Sequence, residues 1–530
     1  MRTSRPPAMQ RRSSTKSGIA AASGAAVAGA LFLAGCAVGP DFARPDVPSV
    51  QQYTHGEEPV GTVPADGQTQ RFSLGARIAG DWWRLFNSPK LDAVIREAIV
   101  NSPSLRAAQA SLRQSQDNLQ AGYGVFYPQV NAGFGATRQL YSPLKVGQNA
   151  TGSIFNLFTL SASVSYAIDV FGGARRGLES LEAQTEAQRY ALAATFLALS
   201  GNIVNTLIAR AAYAAQIDAT ERVIALLKEQ VRITQVQAAA GTVPYSNVLS
   251  VRSQLAATEA TLPPLRQRLD QAEHLLATLA GKTPAEWRAP QLELADFALP
   301  ADVPLSLPSE LTRQRPDILA AESALHSASA NVGVATAAMF PSFTLNGSYG
   351  RNNTAMPDLD AANGKFWNAG AGVLAPIFDG GTLRLRRQAA MEAHAQSEEA
   401  YRQTVLGAFA QVADTLRGLE HDAETLRAQS EQLAAADEAL RLVQVNFRTG
   451  TVNYLSVLSA DTQYSQAKIG QLQTVAQRLQ DSAALLVALG GGWWNSAETI
   501  LGESAAAGKA PVAPAESAGT GPTAGTGERP

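Results

Sequence analysis

Between residues 158 and 170 apolar and polar side chains alternate without a break. Phe158, Leu160, Ala162, Val164, Tyr166, Ile168 and Val170 fall on one face, and Thr159, Ser161, Ser163, Ser165, Ala167 and Asp169 on the other. A period of two with one apolar face predicts a strand. The same pattern starts at Val130, with Val130, Ala132, Phe134 and Ala136 set against Asn131, Gly133, Gly135 and Thr137. It returns in Phe343, Leu345, Gly347 and Tyr349 against Thr344, Asn346, Ser348 and Gly350, and more weakly over 366–378, where Pro376 stands near the end. A soluble sandwich would also alternate. A row of small hydroxyls opposite an aromatic-rich face, however, suits lipid on one side and water on the other.

After each strand pair the pattern changes. Residues 174–240 contain no proline and, internally, only Gly177 and Gly201; the stretch from about 383 to 448 is alike apart from Gly407 and Gly418. Each predicts one uninterrupted helix, a rod of roughly 100 Å at 1.5 Å per residue. The second rod has an apolar residue every seven positions: Val405, Val412, Leu419, Leu426, Leu433, Leu440 and Phe447. That repeat predicts a supercoiling seam. The companion positions Ala423, Ser430 and Asp437 are poorly filled, as in a helix of a wide ring that is wet on one side. Shorter helical stretches at 101–125 and 246–280 together match one rod, and stacked end to end they would run beside it. Pro263-Pro264 is expected to break or kink the second stretch.

The chain repeats itself. Gly241-Thr242-Val243-Pro244-Tyr245-Ser246-Asn247-Val248-Leu249-Ser250 returns 209 positions later as Gly450-Thr451-Val452-Asn453-Tyr454-Leu455-Ser456-Val457-Leu458-Ser459. Pro103, Ala107, Ala108, Leu112 and Pro128 match Pro316, Ala320, Ala321, Leu325 and Pro341 at a constant offset of 213, and Phe171-Gly172-Gly173 matches Phe378-Asp379-Gly380-Gly381. A period this long is a duplicated half rather than a solenoid unit. The chain divides into residues 1–35, a leader; 36–78, an extended tether; 79–290, the first repeat; 291–308, a proline-rich linker; 309–495, the second repeat; and 496–530, a tail expected to be disordered.

Composition narrows the function. The 530 residues carry a net charge of −2 and only 17% charged side chains, so no basic surface points to nucleic acid. No internal stretch is expected to span a bilayer as a helix, so a membrane crossing would have to be a barrel. Four strands cannot close one, and open edges are excluded from hydrocarbon, so the chain must oligomerise. The sole cysteine, Cys36, follows Arg11, Arg12, Lys16 and an Ala/Gly/Leu-rich run ending Leu33-Ala34-Gly35. This reads as a secretory leader whose end resembles a bacterial lipobox. Such a cysteine would carry S-diacylglycerol and an N-acyl chain, and several chains anchor stably. With Ala37 after the cysteine, no aspartate there suggests inner-membrane retention.

No catalytic constellation is present. His55, His274, His326, His394 and His421 lack metal-ligand spacing, and Gly281-Lys282-Thr283 has Leu276 where a phosphate loop needs glycine. Asp169 and Asp379, beside Gly-Gly pairs, are expected to orient turns. The chain is not expected to be an enzyme or to bind a metal or other cofactor, and energy for any transport would come from a partner.

The chain resembles the TolC-like outer-membrane efflux proteins, in their lipoprotein (NodT-type) branch. The resemblance rests on Cys36-Ala37-Val38-Gly39-Pro40, Trp82-Trp83, Arg315-Pro316-Asp317-Ile318, Phe340-Pro341, Asp169-Val170-Phe171-Gly172-Gly173, Gly450-Thr451-Val452-Asn453-Tyr454 and Gly490-Gly491-Gly492-Trp493. It covers about residues 30–495. It implies a mixed α and β fold: a homotrimer with a twelve-stranded transmembrane β-barrel, four strands per chain, continued by a long periplasmic α-helical barrel. It further implies lipid anchoring in the outer membrane of a Gram-negative bacterium. The implied partners are a periplasmic adaptor and an inner-membrane pump of the resistance-nodulation-division class, and the implied cargo is drugs or other small toxic compounds. The duplicated turns would form the periplasmic tip and its gate, at Gly241, Tyr245, Gly450, Tyr454, Leu455, Ser456, Ser459 and Asp461. Where members of the family often carry acidic residues this chain has Ser456 and Ser459, so the gate is expected to close on Tyr454 and Leu455, with Asp461 the nearest carboxylate. A duct for type I protein secretion uses the same fold and stays open as an alternative, as does a periplasmic lipoprotein of scaffold or enzymatic type.

Overall fold

A computed structural model describes residues 37–46, 48–56, 58–142, 147 and 151–495. Cys36, the leader and the tail 496–530 lie outside the described residues. The first repeat runs β1 (Arg71–Leu74), α1 (Pro89–Asn101), α2 (Pro103–Gly122), β2 (Gln129–Tyr141), β3 (Ser153–Ile168), α3 (Gly173–Ala239), α4 (Tyr245–Glu259) and α5 (Leu262–Leu279). The second runs β4 (Asp302–Leu305), α6 (Pro308–Gln314), α7 (Pro316–Ala337), β5 (Ser342–Asn353), β6 (Lys365–Leu374), α8 (Thr382–Arg448) and α9 (Tyr454–Ala488). The motif pairs occupy matching places: Pro103 and Pro316 open α2 and α7, where a missing N–H costs nothing.

β2, β3, β5 and β6 form one antiparallel sheet in that order. The register sorts its side chains into two faces. Val130, Phe134, Leu160, Val164, Tyr349, Leu345, Trp367 and Val373 share one; Asn131, Thr137, Ser161, Ser163, Ser165, Thr344, Ser348 and Asn368 share the other. The strand expected over 158–170 begins earlier, at Ser153, and ends at Ile168, because residues 169–172 turn into α3. The strand expected over 366–378 stops at Leu374: Pro376 has no N–H for the ladder.

The two rods, α3 and α8, are 67 residues each. α3 is the central helix of the chain and packs against α2, α4, α5, α7 and α9. It contains a stretch long and apolar enough to cross a bilayer, contrary to the expectation that none exists; most of that stretch is buried inside the chain. A helix surrounded on all sides is apolar all round. On α8 the expected seam is buried only towards the sheet. Val405, Val412, Leu419 and Leu426 are buried, whereas Leu433 and Leu440 are half-buried and Phe447 is exposed. Ala423, expected to leave the seam open, is fully buried. A small side chain there lets neighbouring backbones approach.

The stretch 246–280 is broken at the proline pair, as expected: α4 ends at Glu259, the chain turns at Ala260-Thr261, and Pro263 and Pro264 sit in the first turn of α5, which tolerates them. The segment after Cys36 is not a free tether. β1 pairs in parallel with β4, so the tether and the linker between repeats are joined as a two-stranded sheet. The Tyr53 hydroxyl donates to the Ser306 carbonyl at 2.9 Å.

Further along, this strap meets a buried arginine. Arg478 on α9 is 1% exposed. Its Nε donates to Gln70 Oε1 at 3.0 Å and its Nη2 to Thr62 Oγ1 at 2.9 Å. Gln70 in turn donates to Ser482 Oγ at 3.0 Å. Burial holds the guanidinium below its usual range, opposed by Asp422 and Asp66. Asp422 of α8 and Asp481 of α9 face each other across the same seam. Burial, and then Asp481, push Asp422 up to about 7, while Arg478 opposes the shift. Asp422 Oδ2 is buried without a donor, as expected of a carboxyl pair that needs a shared proton.

The folded chain therefore holds a proton at Asp422 that the unfolded chain releases near the ordinary aspartate value. Its stabilisation is complete below about pH 4, falls as pH rises towards about 7, and is flat above. The melting temperature of Asp422→Asn minus that of the parent is expected to rise between pH 4.5 and 7 and then level; parallel curves across that range would contradict the pairing.

Candidate functional site

Each rod ends on a glycine in the left-handed region, Gly241 at φ 74° and Gly450 at φ 77°. The two turns share their hydrogen bonds. Gly241 N–H donates to Ala238 O at 3.0 Å and Thr242 N–H to Gln237 O at 2.9 Å; Gly450 donates to Phe447 O at 3.0 Å and Thr451 to Asn446 O at 2.9 Å. This double closure satisfies the last carbonyls and needs a residue without Cβ strain at the glycine. Both threonine hydroxyls also donate to the same carbonyls, at 2.8 Å each.

The copies differ in how the returning helix starts. Asn453 caps α9, its side chain accepting from Ser456 N–H at 3.0 Å. Pro244 stands at that place before α4 and offers no side-chain cap. Tyr454 packs on Phe447, with ring centroids 5.4 Å apart, and lies within electrostatic reach of Arg232 on α3. Tyr245 is exposed. Leu455 and Ser456 are half-buried, and Ser459 is exposed. Asp461 is half-buried and faces α3: burial raises its carboxyl, and Arg222 opposes the shift. α9 therefore returns antiparallel along α3, with Gln473 on Gln216 and Gln480 on the Asn205 carbonyl further up.

At the other end of the rods, where the sheet begins, Asp169 and Asp379 cap the helices. Asp169 accepts from Ala174 N–H at 3.1 Å and Arg175 N–H at 3.0 Å. Asp379 accepts from Gly381 N–H at 2.9 Å and Leu383 N–H at 2.7 Å, and those backbone bonds hold its carboxyl below the usual range. Carboxylates at helix N-termini satisfy orphan donors and the dipole together.

The chain following Cys36 is clamped at this same level. Val38 N–H donates to Phe171 O at 3.1 Å, and Gly172 packs so closely on Ala37 that a Cβ would collide. Arg176 reaches Asp41 at 2.5 Å and Glu179 at 2.8 Å. His326 bonds Glu179 at 2.9 Å and stacks on Phe42, centroids 4.3 Å apart. Sequence reasoning missed this clamp, because its members lie far apart along the chain; Asp41, Phe42 and Arg44 within a Pro/Gly-rich segment were the available signal. Arg315, of the Arg-Pro-Asp-Ile motif, donates to the last carbonyl of α9, Ala488 O, at 2.6 Å. Among the described residues no group of three or more His, Cys, Asp or Glu is placed to hold a metal ion.

A sheet with one apolar and one polar face, standing on rods of roughly 100 Å that end in paired turns, is the architecture of an outer-membrane channel subunit. The chain belongs to the outer membrane efflux protein family, which it matches over residues 94–282 and 307–491, once in each repeat. It is similar to the pyoverdine export outer membrane protein OpmQ of Pseudomonas aeruginosa, 31% identical over 83% of this chain and 93% of that protein. It is also similar to nodulation protein T of Rhizobium leguminosarum bv. trifolii, 27% identical over 87% of this chain and 96% of that protein. Among solved structures it resembles the outer-membrane channel OprN, with a TM-score of 0.76 and 27% identity, covering 86% of this chain and all of that one. The chain is an outer-membrane efflux channel component, and of the two duct functions the comparisons favour efflux over protein secretion.

The caps make the second turn the one that can be loosened singly. Asn453→Ala removes a bond worth about 1 kcal/mol, roughly a fivefold change in local opening. Amide exchange at the start of α9 should accelerate by about that factor while exchange at the start of α4 stays unchanged. Equal protection in variant and parent would show that the cap contributes nothing.

Proposed function

We propose that three copies of the chain close a twelve-stranded barrel and a helical tube, forming a lipid-anchored exit duct for small toxic compounds. The observation that carries this reading is an interface made once within the chain and left open once. Phe171 of the first repeat stacks on Phe340 of the second, centroids 4.6 Å apart, and lies 6.5 Å from Phe343. Its counterpart, Phe378, is 92% exposed. The counterparts of Phe340 and Phe343 at the repeat offset are Tyr127 and Val130, which are 67% and 69% exposed. The sheet has the same gap: β3 pairs with β5 across the repeats, while β6 and β2 are bare edges. A second copy supplies the missing partner in each case. Four strands are too few for a lipid barrel, and a bare edge in hydrocarbon costs several kcal/mol per unpaired group.

The strap supports an anchor at Cys36. It holds Ala37 and Val38 at the foot of the sheet, where acyl chains on the preceding residue would enter the membrane beside the apolar face. At the far end of the rods, the turns at 241–245 and 450–455 form the mouth that meets a periplasmic adaptor, and through it an inner-membrane pump of the resistance-nodulation-division class. The gate is apolar, built from Tyr454 and Leu455 with Ser456 and Ser459 beside them. Asp461, turned towards Arg222, supports the helix pair rather than the lumen. Relatives that serve pyoverdine export and toluene efflux support small molecules as cargo.

Cys36 is the only native cysteine, so paired substitutions give a clean test of the ring. Phe378→Cys combined with Val130→Cys should yield disulfide-linked dimers and trimers in outer membranes, and neither single variant should. Monomer alone from the double variant would end the ring reading. For the gate, Leu455→Ala is expected to raise single-channel conductance in a planar bilayer several-fold and to sensitise cells to large antibiotics. Unchanged conductance together with unchanged sensitivity would assign Leu455 to helix packing.

A further inference from the structure

The charges of the four-stranded sheet are unevenly placed. The charged residues of β2, β3, β5 and β6 are Arg138, Arg351 and Lys365, all cationic. The register puts each on the apolar face: Arg138 lies two positions beyond Ala136, and Arg351 is opposite both Leu160 and Lys365. All lie towards the end of the sheet farthest from the helices, since Gln129, Ile168, Ser342 and Leu374 are the ends that lead into helical segments. The polar face, where water makes a charge least unfavourable, carries none in these strands. At the helix end of the apolar face stand Val130, Ile168, Phe343 and Val373.

This is not the placement of solubilising charges, which would favour the polar face. Nor is it an anchor indifferent to headgroups, which would admit carboxylates or recur at both ends. Cations on a lipid-facing surface settle at the interface, their stems along apolar surface and their heads in the headgroup layer. Tyr349 and Trp367, directly paired one step inward, mark that interface as aromatic girdles do. The repeat keeps the feature, because Arg138 and Arg351 are separated by the same 213 positions as the matches from Pro103 to Pro128. Arg351 is already paired with Asp360 and donates to its carbonyl at 3.0 Å. Arg138 and Lys365 are exposed, on the two edge strands of the sheet.

Resting on the ring reading above, in which β6 meets β2 of the next copy, we propose that Lys365 and Arg138 of adjacent copies form a cationic collar binding the phosphates of a phosphorylated glycolipid in the leaflet distal to the helices. Charge-assisted contacts to phosphate from two sides of a subunit seam fix the headgroup there, and each bound lipid spans two copies.

The test uses the full-length channel, purified in zwitterionic detergent and mixed with bis-phosphorylated lipid A, its dephosphorylated form or phosphatidylglycerol, with bound lipid counted by native mass spectrometry. The parent is expected to bind lipid A at least tenfold better than either other lipid. The double variant Arg138→Gln/Lys365→Gln should fall to the dephosphorylated level, and Arg138→Lys should retain binding. Equal binding of all three lipids, or unchanged binding by the double variant, would overturn the collar. Heat-modifiable oligomers in the outer-membrane fraction are followed in parallel. If the parent lacks them, the ring reading falls and the collar with it; if parent and variants keep them while lipid binding is unaltered, only the collar falls.

Discussion

The contact between the two repeats, α3 against α7 and β3 against β5, is the one around which the rest of the chain is arranged. It stacks Phe171 on Phe340 and places α3 at the centre of the helices. Each repeat has a one-sided helix set and a two-stranded ribbon, neither of which can bury its own apolar surface. A two-stranded ribbon is marginal in water and has two open edges. Joining two repeats halves the problem without solving it, because the joined unit still ends on β2 and β6. The surface that the first repeat uses inside the chain, around Phe171, thus has a counterpart in the second repeat, around Phe378, that is left uncovered.

Much of the fold was legible because its periods are long and simple. The alternation on β3 and the absence of proline across α3 and α8 each follow from one dominant rule, and the structure places these elements within a few residues of where the patterns put them. What escaped was set by contacts across the sequence. The segment 37–78 has no periodicity, yet Arg478, more than 400 residues away, holds Gln70 and Thr62. The apolar stretch of α3 is long enough to cross a bilayer by composition, and only its packing shows that most of it is buried by protein instead. Pro263 and Pro264 carried a breaking signal, but their position in a first turn depended on where Thr261 ended the previous helix.

The functional residues divided in the same way. Gly241 and Gly450 announced themselves by repetition, and their conformation explains why only that residue type recurs there. Leu455 and Asp461 are both half-buried, and what distinguishes them is the neighbour each meets: six positions along the helix, Asp461 comes under the influence of Arg222. The Asp422–Asp481 pair needs two helices in register before either carboxyl is unusual.

The grip on Arg478 also gives α9 a fulcrum. Above it the helix is held by Gln70, Thr62 and the Ser482 hydroxyl; below it, towards Tyr454, the seam with α8 loses its buried apolar residues past Leu426. The arm from Arg478 to Tyr454 is about 36 Å long and keeps buried residues of its own, Leu458 and Ala467, and the Gln473–Gln216 bond to α3. A rotation of about five degrees at the fulcrum displaces the far end by roughly 3 Å, the width of a water molecule, with every hydrogen bond of the helix intact. The strap, which grips α9 about midway along the rods, thereby sets the length of the arm that ends at the turn.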